Sequence, residues 1–358
     1  MAEYKKQHYV PQFYFNFFSK DGKNINIYNL KQDKIFNRPI KHLCCKSSFY
    51  SKNKEIEKCF NELENNQARV IKKILRDGSL LELSEVDYYS SLLSFILFQM
   101  SRTKTERERS KEMSKIFSDE VIKPMMLSDK RANDMGITKE MLDKYDIVHN
   151  GDHLMKICIS LQSIPLISDL VPILMINKTK LNFIFSDTPV IKHNTFFNHI
   201  KDSGTKGFQS TGLQIFSPLD DRHMLMFFDS DFYDVELKRP NLIEINENND
   251  IDSLNSLQYI YRDENIFFSD EKDSKYVKKL QAQNSSFIKE IKVKKEKIIL
   301  PMNGKGHREI IHTYESNTKY PLKLSFVKLK ETTKRFGIRN PKLLEENNKF
   351  WDDKKKIK

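Results

Sequence analysis

Leu181-Asn182-Phe183-Ile184-Phe185-Ser186-Asp187-Thr188-Pro189 is the stretch on which the reading of the fold turns. Leu181–Phe185 alternates as a strand does, and Ser186–Pro189 is turn chemistry, so a strand runs into a turn here. Downstream, Leu213–Phe216 with Pro218 and then Met224–Phe228 read as two more strands, joined across Asp220-Asp221. Residues 251–262 have helical character, with Asp252 or Ser253 near the cap. Upstream, the spacing from Lys54 to about residue 176 is helical. The chain therefore reads as α+β: an N-terminal arm and β-hairpin, a helical middle, and an antiparallel sheet in the second half.

Within the helical middle, Ile56, Phe60, Leu63, Gln67, Val70 and Ile74 follow one helical face, and Asp77-Gly78 is a C-terminal stop. Ser84, three residues before Asp87, caps a second helix whose centre, Leu92–Phe98, is apolar nearly all round and belongs in the core. It leaves the core through Gln99, Ser101 and Arg102 into the charged run Lys104–Lys111, which places Arg102 at the core's rim. Residues 128–152 are polar, with a short helical piece, and read as a surface excursion between two helical blocks. Leu154–Ile176 reads as a second apolar helical stretch bent by Pro165 and Pro172. At the other end, the opening Lys5–Tyr14 is too aromatic for a tail, and Pro11 forces Val10 to be extended. The arm should dock on the body. Asp21-Gly22 then turns the chain into a hairpin strand, Asn24–Leu30.

With 358 residues and 39% hydrophobic side chains, the chain can bury a sizeable core without covalent staples. Its four cysteines form no CxxC or export-type framework, so a reducing cytoplasm is the expected location. No stretch approaches the roughly 20 apolar residues that a membrane span needs. The net charge of +12 is unevenly placed: residues 271–358 carry 24 Lys and Arg against 11 Asp and Glu, and residues 1–270 carry 37 against 38. The expected organisation is one domain over 1–270, with a helical block at about 54–176 and a sheet-rich block at about 181–270. Residues 271–358 follow as a basic appendage. A lysine-rich end can meet RNA or DNA phosphates or serve as a solvated face, and the scarcity of arginine favours the second. Trp351 onward should fray.

With these positions placed, the chain resembles a bacterial family of proteins of unknown function marked by an HYVPQ opening, family 4238 of the domain-of-unknown-function series. His8-Tyr9-Val10-Pro11-Gln12-Phe13-Tyr14 carries the resemblance, followed by Phe18-Ser19 and the Asp21-Gly22 turn. Further matches are a Glu64-bearing helix, Gln99 with Arg102-Thr103, Phe185-Ser186-Asp187 with Pro189-Val190, Pro218-Leu219, and the late amides Asn255 and Gln258. It covers about residues 5 to 270. Thr188 stands where the family usually has Asn, and Phe15-Asn16 where it has Leu-Arg, which removes a basic residue near His8. The resemblance implies a single-gene anti-phage role and no particular reaction.

Chemistry can be assigned to few residues. His8 can act as acid or base near neutral pH with Gln12 orienting it or a substrate; equally, it can pin the arm to a backbone carbonyl. Arg102 can clamp a phosphate, or be buried against Glu64 or Asp187. Asp187 stands at a strand end, where catalytic carboxylates are often placed, but Asp also begins turns by bonding its own backbone. Asn255 and Gln258 share a helix face and can read a base edge or fix a loop, and Glu64 and Gln99 would support them. No metal or cofactor is expected: His149/His153 lack an HExxH glutamate, and His193/His199 lack a third ligand. No GxxxxGKS, GxGxxG or GxSxG occurs, and Gly304-Lys305-Gly306 reads as a turn. Two function classes stand: an effector enzyme acting on nucleic acid, possible as a metal-independent nuclease, with His8, Arg102 and Asp187 catalytic; or a sensor that binds a phage protein as trigger. Convergence of these residues in an open cleft favours the first, and a buried, mutually satisfied network the second.

Overall fold

A computed structural model describes residues 6–145, 151–200, 204–287, 293–301, 307–315 and 318–356. His149 and Gly304–Gly306 lie outside the described residues. The arm forms a short strand β1 (Lys6–His8) and, after Pro11, a helix α1 (Gln12–Phe18). A hairpin follows, β2 (Asn24–Asn29) with β3 (Lys34–Pro39), and β4 (Cys45–Ser47) returns to pair with β1. The helical middle begins with α2 (Lys54–Asp77), which Asn53 caps through the Glu55 N–H. It ends at Gly78, whose φ of 59° is the left-handed conformation that closes a helix. The next helix starts on Ser84, whose hydroxyl accepts from the Asp87 N–H. It passes through a π-helical stretch, Asp87–Leu93, into α3 (Ser94–Ser101). Leu92–Phe98 are all buried, as an all-round apolar helix must be.

Thr103 caps α4 (Lys104–Phe117), and three short helices follow, α5 (Lys123–Ser128), α6 (Lys130–Asp134) and α7 (Lys139–Asp143). Next comes α8 (Asp152–Gln162). Here the structure corrects the sequence. The apolar stretch expected as one bent helix to Ile176 is α8, a 3-10 turn at Ile164–Ile167, and a strand, β5 (Val171–Asn177). Pro172 does not exclude the strand: β5 pairs with its parallel neighbour only from Leu174 onward, so the missing N–H falls where one side of the strand is unpaired.

The sheet-rich half continues with β6 (Phe185–Ser186), β7 (Ile191–His193), β8 (Gln214–Pro218), β9 (His223–Phe228), β10 (Tyr233–Val235) and β11 (Leu242–Ile245). Helix α9 (Asn248–Tyr261) and strand β12 (Asn265–Phe268) complete it. One sheet has the order β11-β5-β9-β8-β7, antiparallel except for β11 with β5. A second, fully antiparallel, has the order β3-β2-β12-β6, so a strand from residue 265 onward completes the N-terminal hairpin. The fold is α+β, with helices in the middle of the chain and largely antiparallel sheets. α9 starts before the expected Asp252 or Ser253. Asp250, in its first turn, accepts instead from the Ser325 N–H and hydroxyl, at 2.8 and 2.5 Å.

Among the described residues beyond 270, read from the sequence as a basic appendage, two segments, 276–287 and 320–336, contribute to these cores. Helix α10 (Ser274–Asn284) buries Val277 and Leu280 beside Tyr259 of α9. A hairpin of β13 (Lys294–Pro301) and β14 (His307–Tyr314) is tied to α4 where the Val293 N–H donates to Glu112. β15 (Val327–Leu329) pairs with β10, and Leu322, Leu324 and Phe326 join the core on the five-stranded sheet. Before the last helix, α11 (Pro341–Lys356), Arg339 holds Asp169 at 2.8 Å and donates to the Leu166, Phe208 and Ser210 carbonyls. The terminal helix thus runs past Trp351, where fraying was expected.

Candidate functional site

The arm is docked by aromatic packing. Phe15 and Phe18 contact Phe185 and Phe267, with ring centroids 4.4 to 5.3 Å apart, and the Tyr14 hydroxyl donates to the Pro218 carbonyl. Tyr9 stacks near Phe49, and Gln99 at the end of α3 donates to the Tyr9 carbonyl at 3.0 Å. This docking carries His8 to the end of α3. There Arg102, only 2% exposed, donates to the His8 carbonyl, and its Nε lies 2.9 Å from the Tyr50 hydroxyl. Its guanidinium pairs with Glu64 of α2 at 2.6 Å and lies 4.4 Å from the centroid of the Phe98 ring. A fully buried charge needs such a set of partners to offset its lost hydration.

These contacts form one wall of an open cavity of about 880 Å³. Of the residues singled out in the sequence, His8, Gln12, Glu64 and Arg102 all line it. Lys6, Lys41, His42 and Glu57 line it as well. The His8 Nε2 is buried without a hydrogen-bond partner. Burial first, and then the Arg102 charge, lower the imidazole's pKa to about 4, against a hydrogen bond to the Lys41 backbone that raises it. The ring is therefore neutral at pH 7. Burial, reinforced by neighbouring Glu64, raises the Glu57 carboxyl above the usual range, against the opposing Arg102 charge. The cavity thus holds a neutral base, a carboxyl with raised proton affinity and exposed amides and lysines.

Asp187 is elsewhere. Its carboxylate accepts the N–H groups of Asp263, Glu264 and Asn265 at 2.7 to 2.9 Å and ties the turn after α9 to the end of β6. Burial and the Asp263 charge raise its pKa to about 6 in spite of these donors. Asn255 and Gln258, fully buried on α9, bond the backbone of the strand-and-turn segment. Asn255 receives the Ile184 N–H and donates to the Asn182 carbonyl, and Gln258 receives the Ser186 N–H and donates to the Pro189 carbonyl. They hold the 182–189 segment on the helix. His153 stacks against Tyr50, and its Nε2 lies 3.1 Å from the Ser101 carbonyl.

A family model described as a protein of unknown function, DUF4238, matches residues 6–272. The chain belongs to this family. The matched span runs from β1 through β12 and contains the whole His8 cavity together with Asp187, Asn255 and Gln258. The β13–β14 hairpin, β15 and α11 lie beyond the family match. No curated protein and no solved structure matches the chain. Among the described residues, no helix is long and apolar enough to cross a membrane.

Glu57, Lys41 and His42 were not singled out in the sequence. Glu57 sits one residue from the apolar stripe of α2, and a carboxylate beside that stripe with Glu64 two turns on was the available signal. Lys41 and His42 belong to a short turn, Ile40–His42, whose place opposite His8 depends on the pairing of β1 with β4.

Proposed function

We propose that the protein is an anti-phage effector enzyme acting on nucleic acid, with the His8 cavity as its active site. The observation that carries this reading is the meeting of His8, Gln12, Glu64 and Arg102 around one open cavity, with an imidazole nitrogen left unbonded. Lys6 and Lys41 are placed to receive a phosphodiester. Its negative charge would offset the field of Arg102 and raise the imidazole's pKa toward neutrality, where a general base works best. On RNA, His8 then takes the proton of a ribose 2′-hydroxyl as that oxygen attacks the adjacent phosphorus. The bond to the 5′-oxygen breaks, and Glu57 returns a proton to the leaving oxygen, giving a cyclic phosphate and a free 5′-hydroxyl. In this reading Arg102 is a positioning residue, because its buried guanidinium is already held by Glu64, Tyr50 and the His8 carbonyl.

A second reading has its own support. Arg102 and Asp187 are both buried and bonded to protein groups, as expected of a sensor that binds a phage protein without catalysis. The test is RNA and DNA integrity in cells expressing wild type, His8→Ala or Glu57→Gln, with and without phage. Nucleic-acid breakdown reduced on the order of 100-fold in variants that melt like wild type supports the enzyme. Intact nucleic acid with the wild type under both conditions, or breakdown indifferent to His8→Ala, leaves the binding protein.

A further inference from the structure

On the other side of the α3–α4 turn, whose Arg102 faces the His8 cavity, Ser101 and Thr103 line a second cavity of about 230 Å³. Its wall carries six charged side chains from five parts of the fold: Glu106 and Arg109 of α4, Lys156 of α8, Lys192 of β7, Lys206 of the loop before β8, and Glu315 just after β14. The carboxylates are already engaged. Glu106 holds Arg109 at 2.6 Å and also Lys156, and Glu315 holds Arg109 at 2.7 Å. Lys192 and Lys206 are left over. Neither makes an ion pair with a carboxylate among the described residues, although both feel the charge of Glu315 and Lys192 that of Glu106 from further off. Each ammonium lies 5.2 Å from an aromatic centroid, Lys192 at Phe208 and Lys206 at Tyr261. Lys206 is only 6% exposed.

We propose that this cavity is a binding site for a phosphomonoester dianion, held between the ammonium groups of Lys192 and Lys206. Four cations against two carboxylates leave a formal surplus of two positive charges, which a phosphate monoester carrying about −1.5 to −2 at pH 7 matches. Holding ammonium groups without an ion-pair partner out of water is costly unless an anion enters with them. Burial lowers the Lys192 pKa in spite of the opposing pull of Glu315 and Glu106, and the Lys206 charge lowers it further. Of the hydroxyls around the space, Ser101 donates to the Phe98 carbonyl, Ser160 to the Leu97 carbonyl and Thr188 to the Tyr261 carbonyl, while Thr103 accepts from the Glu106 N–H and keeps its own proton to give. The charged donors that no ion pair engages are the two lysines, and they carry the recognition. A carboxylate ligand would cancel only one charge, whereas the phosphate dianion cancels both and offers oxygens to both. Ile159 and Val190 on the wall leave room for a small organic group on the ester oxygen.

The site is separate from the His8 cavity, and its test reads binding rather than activity. Full-length protein is melted with inorganic phosphate, ribose 5-phosphate, uridine 5′-monophosphate or uridine, each against potassium chloride of equal ionic strength. The phosphate-bearing probes should raise the melting temperature by about 3 °C or more at millimolar concentration, and uridine should not. A response to inorganic phosphate alone identifies the free ion as the ligand; a larger response to the esters identifies an organic phosphate. Lys192→Gln and Lys206→Gln should each weaken binding at least tenfold while melting no lower than wild type without ligand, since each removes an unmatched charge. His8→Ala should bind as wild type does. No response to any phosphate, or affinity retained in both lysine variants, overturns the proposal. Should the variants not fold, a phosphorus NMR titration of wild type with the same probes decides it, an unchanged phosphate signal overturning it.

Discussion

At the scale of single residues, two side chains with similar prospects in the sequence have become structural anchors of different kinds. Arg102 ties three segments together, through Glu64 on α2, Tyr50 before it, and the His8 carbonyl on the arm. Asp187 joins β6 to the turn at residues 263–265 through three backbone N–H groups. Arg102→Met should therefore destabilise the fold by about 3 kcal/mol in urea unfolding, because Glu64 and the His8 carbonyl lose their shared partner. Glu64→Gln should cost less, since the carboxylate is 19% exposed and water can replace part of the pair. Equal midpoints for wild type and Arg102→Met would show that the guanidinium holds nothing. The family resemblance and the chemistry of their residue types let His8, Gln12, Glu64 and Arg102 be singled out from the sequence, although they lie in three separate segments. Lys192 and Lys206 could not be found that way: in a chain with 61 basic residues, nothing local distinguishes a lysine that faces a cavity from one that faces water.

At the scale of elements, α2 was legible in its span and its stop, while its Asn53 cap was read only from the structure. Its apolar spacing is helical, Asn53 caps it, and Gly78 ends it in the left-handed conformation. A Cβ on Gly78 would meet only the Ile176 side chain at 4.0 Å, so the cost of Gly78→Ala is conformational rather than steric. We expect a loss of about 1 kcal/mol, read as a lower urea midpoint with unchanged slope. No loss would mean that the helix end relaxes to a right-handed turn. β5 was not legible, because Val171–Asn177 is apolar on both faces and a run of that kind has neither the period of a helix nor that of a strand. Its identity is decided by β9 and β11, which occupy its two edges. The α3–α4 turn has a similar dependence. Ser101, Arg102 and Thr103 are consecutive, yet Arg102 faces one cavity while its neighbours face the other.

At the scale of the whole molecule, buried titratable groups scattered through the fold set its response to acid. Burial lowers the pKa of His8 and His153 to about 4 and that of His193 to about 3. Each folded value lies below the unfolded value of 6.5, so the unfolded chain takes up these protons first. Their contribution is complete above pH 6.5 and is lost as the pH falls toward 4, at up to about 1.4 kcal/mol per pH unit for each histidine. Asp187 acts in the opposite sense: its raised pKa lets the folded state take up a proton first between about pH 6 and the unfolded carboxyl value, which offsets one histidine. The net expectation is a melting temperature that falls from pH 7 to pH 5, with the fall reduced in a His153→Gln, His193→Gln double variant. A melting temperature that is constant or rises toward pH 5 would contradict it.

The sequence by itself determined the α+β class, the helical middle with its Ser84 cap and Gly78 stop, and the strands on either side of Asp220-Asp221. These follow from period, capping and turn chemistry, which act over a few residues. Tertiary structure alone decided that β12 completes the N-terminal hairpin, that β5 is a strand, that Asp187 lies apart from His8, and that Val277, Leu280, Leu322, Leu324 and Phe326 enter the cores. It also decided where unmatched charge collects, because that depends on which distant side chains share a cavity. Pairing and burial across more than a hundred residues leave no periodic mark on the chain that carries them.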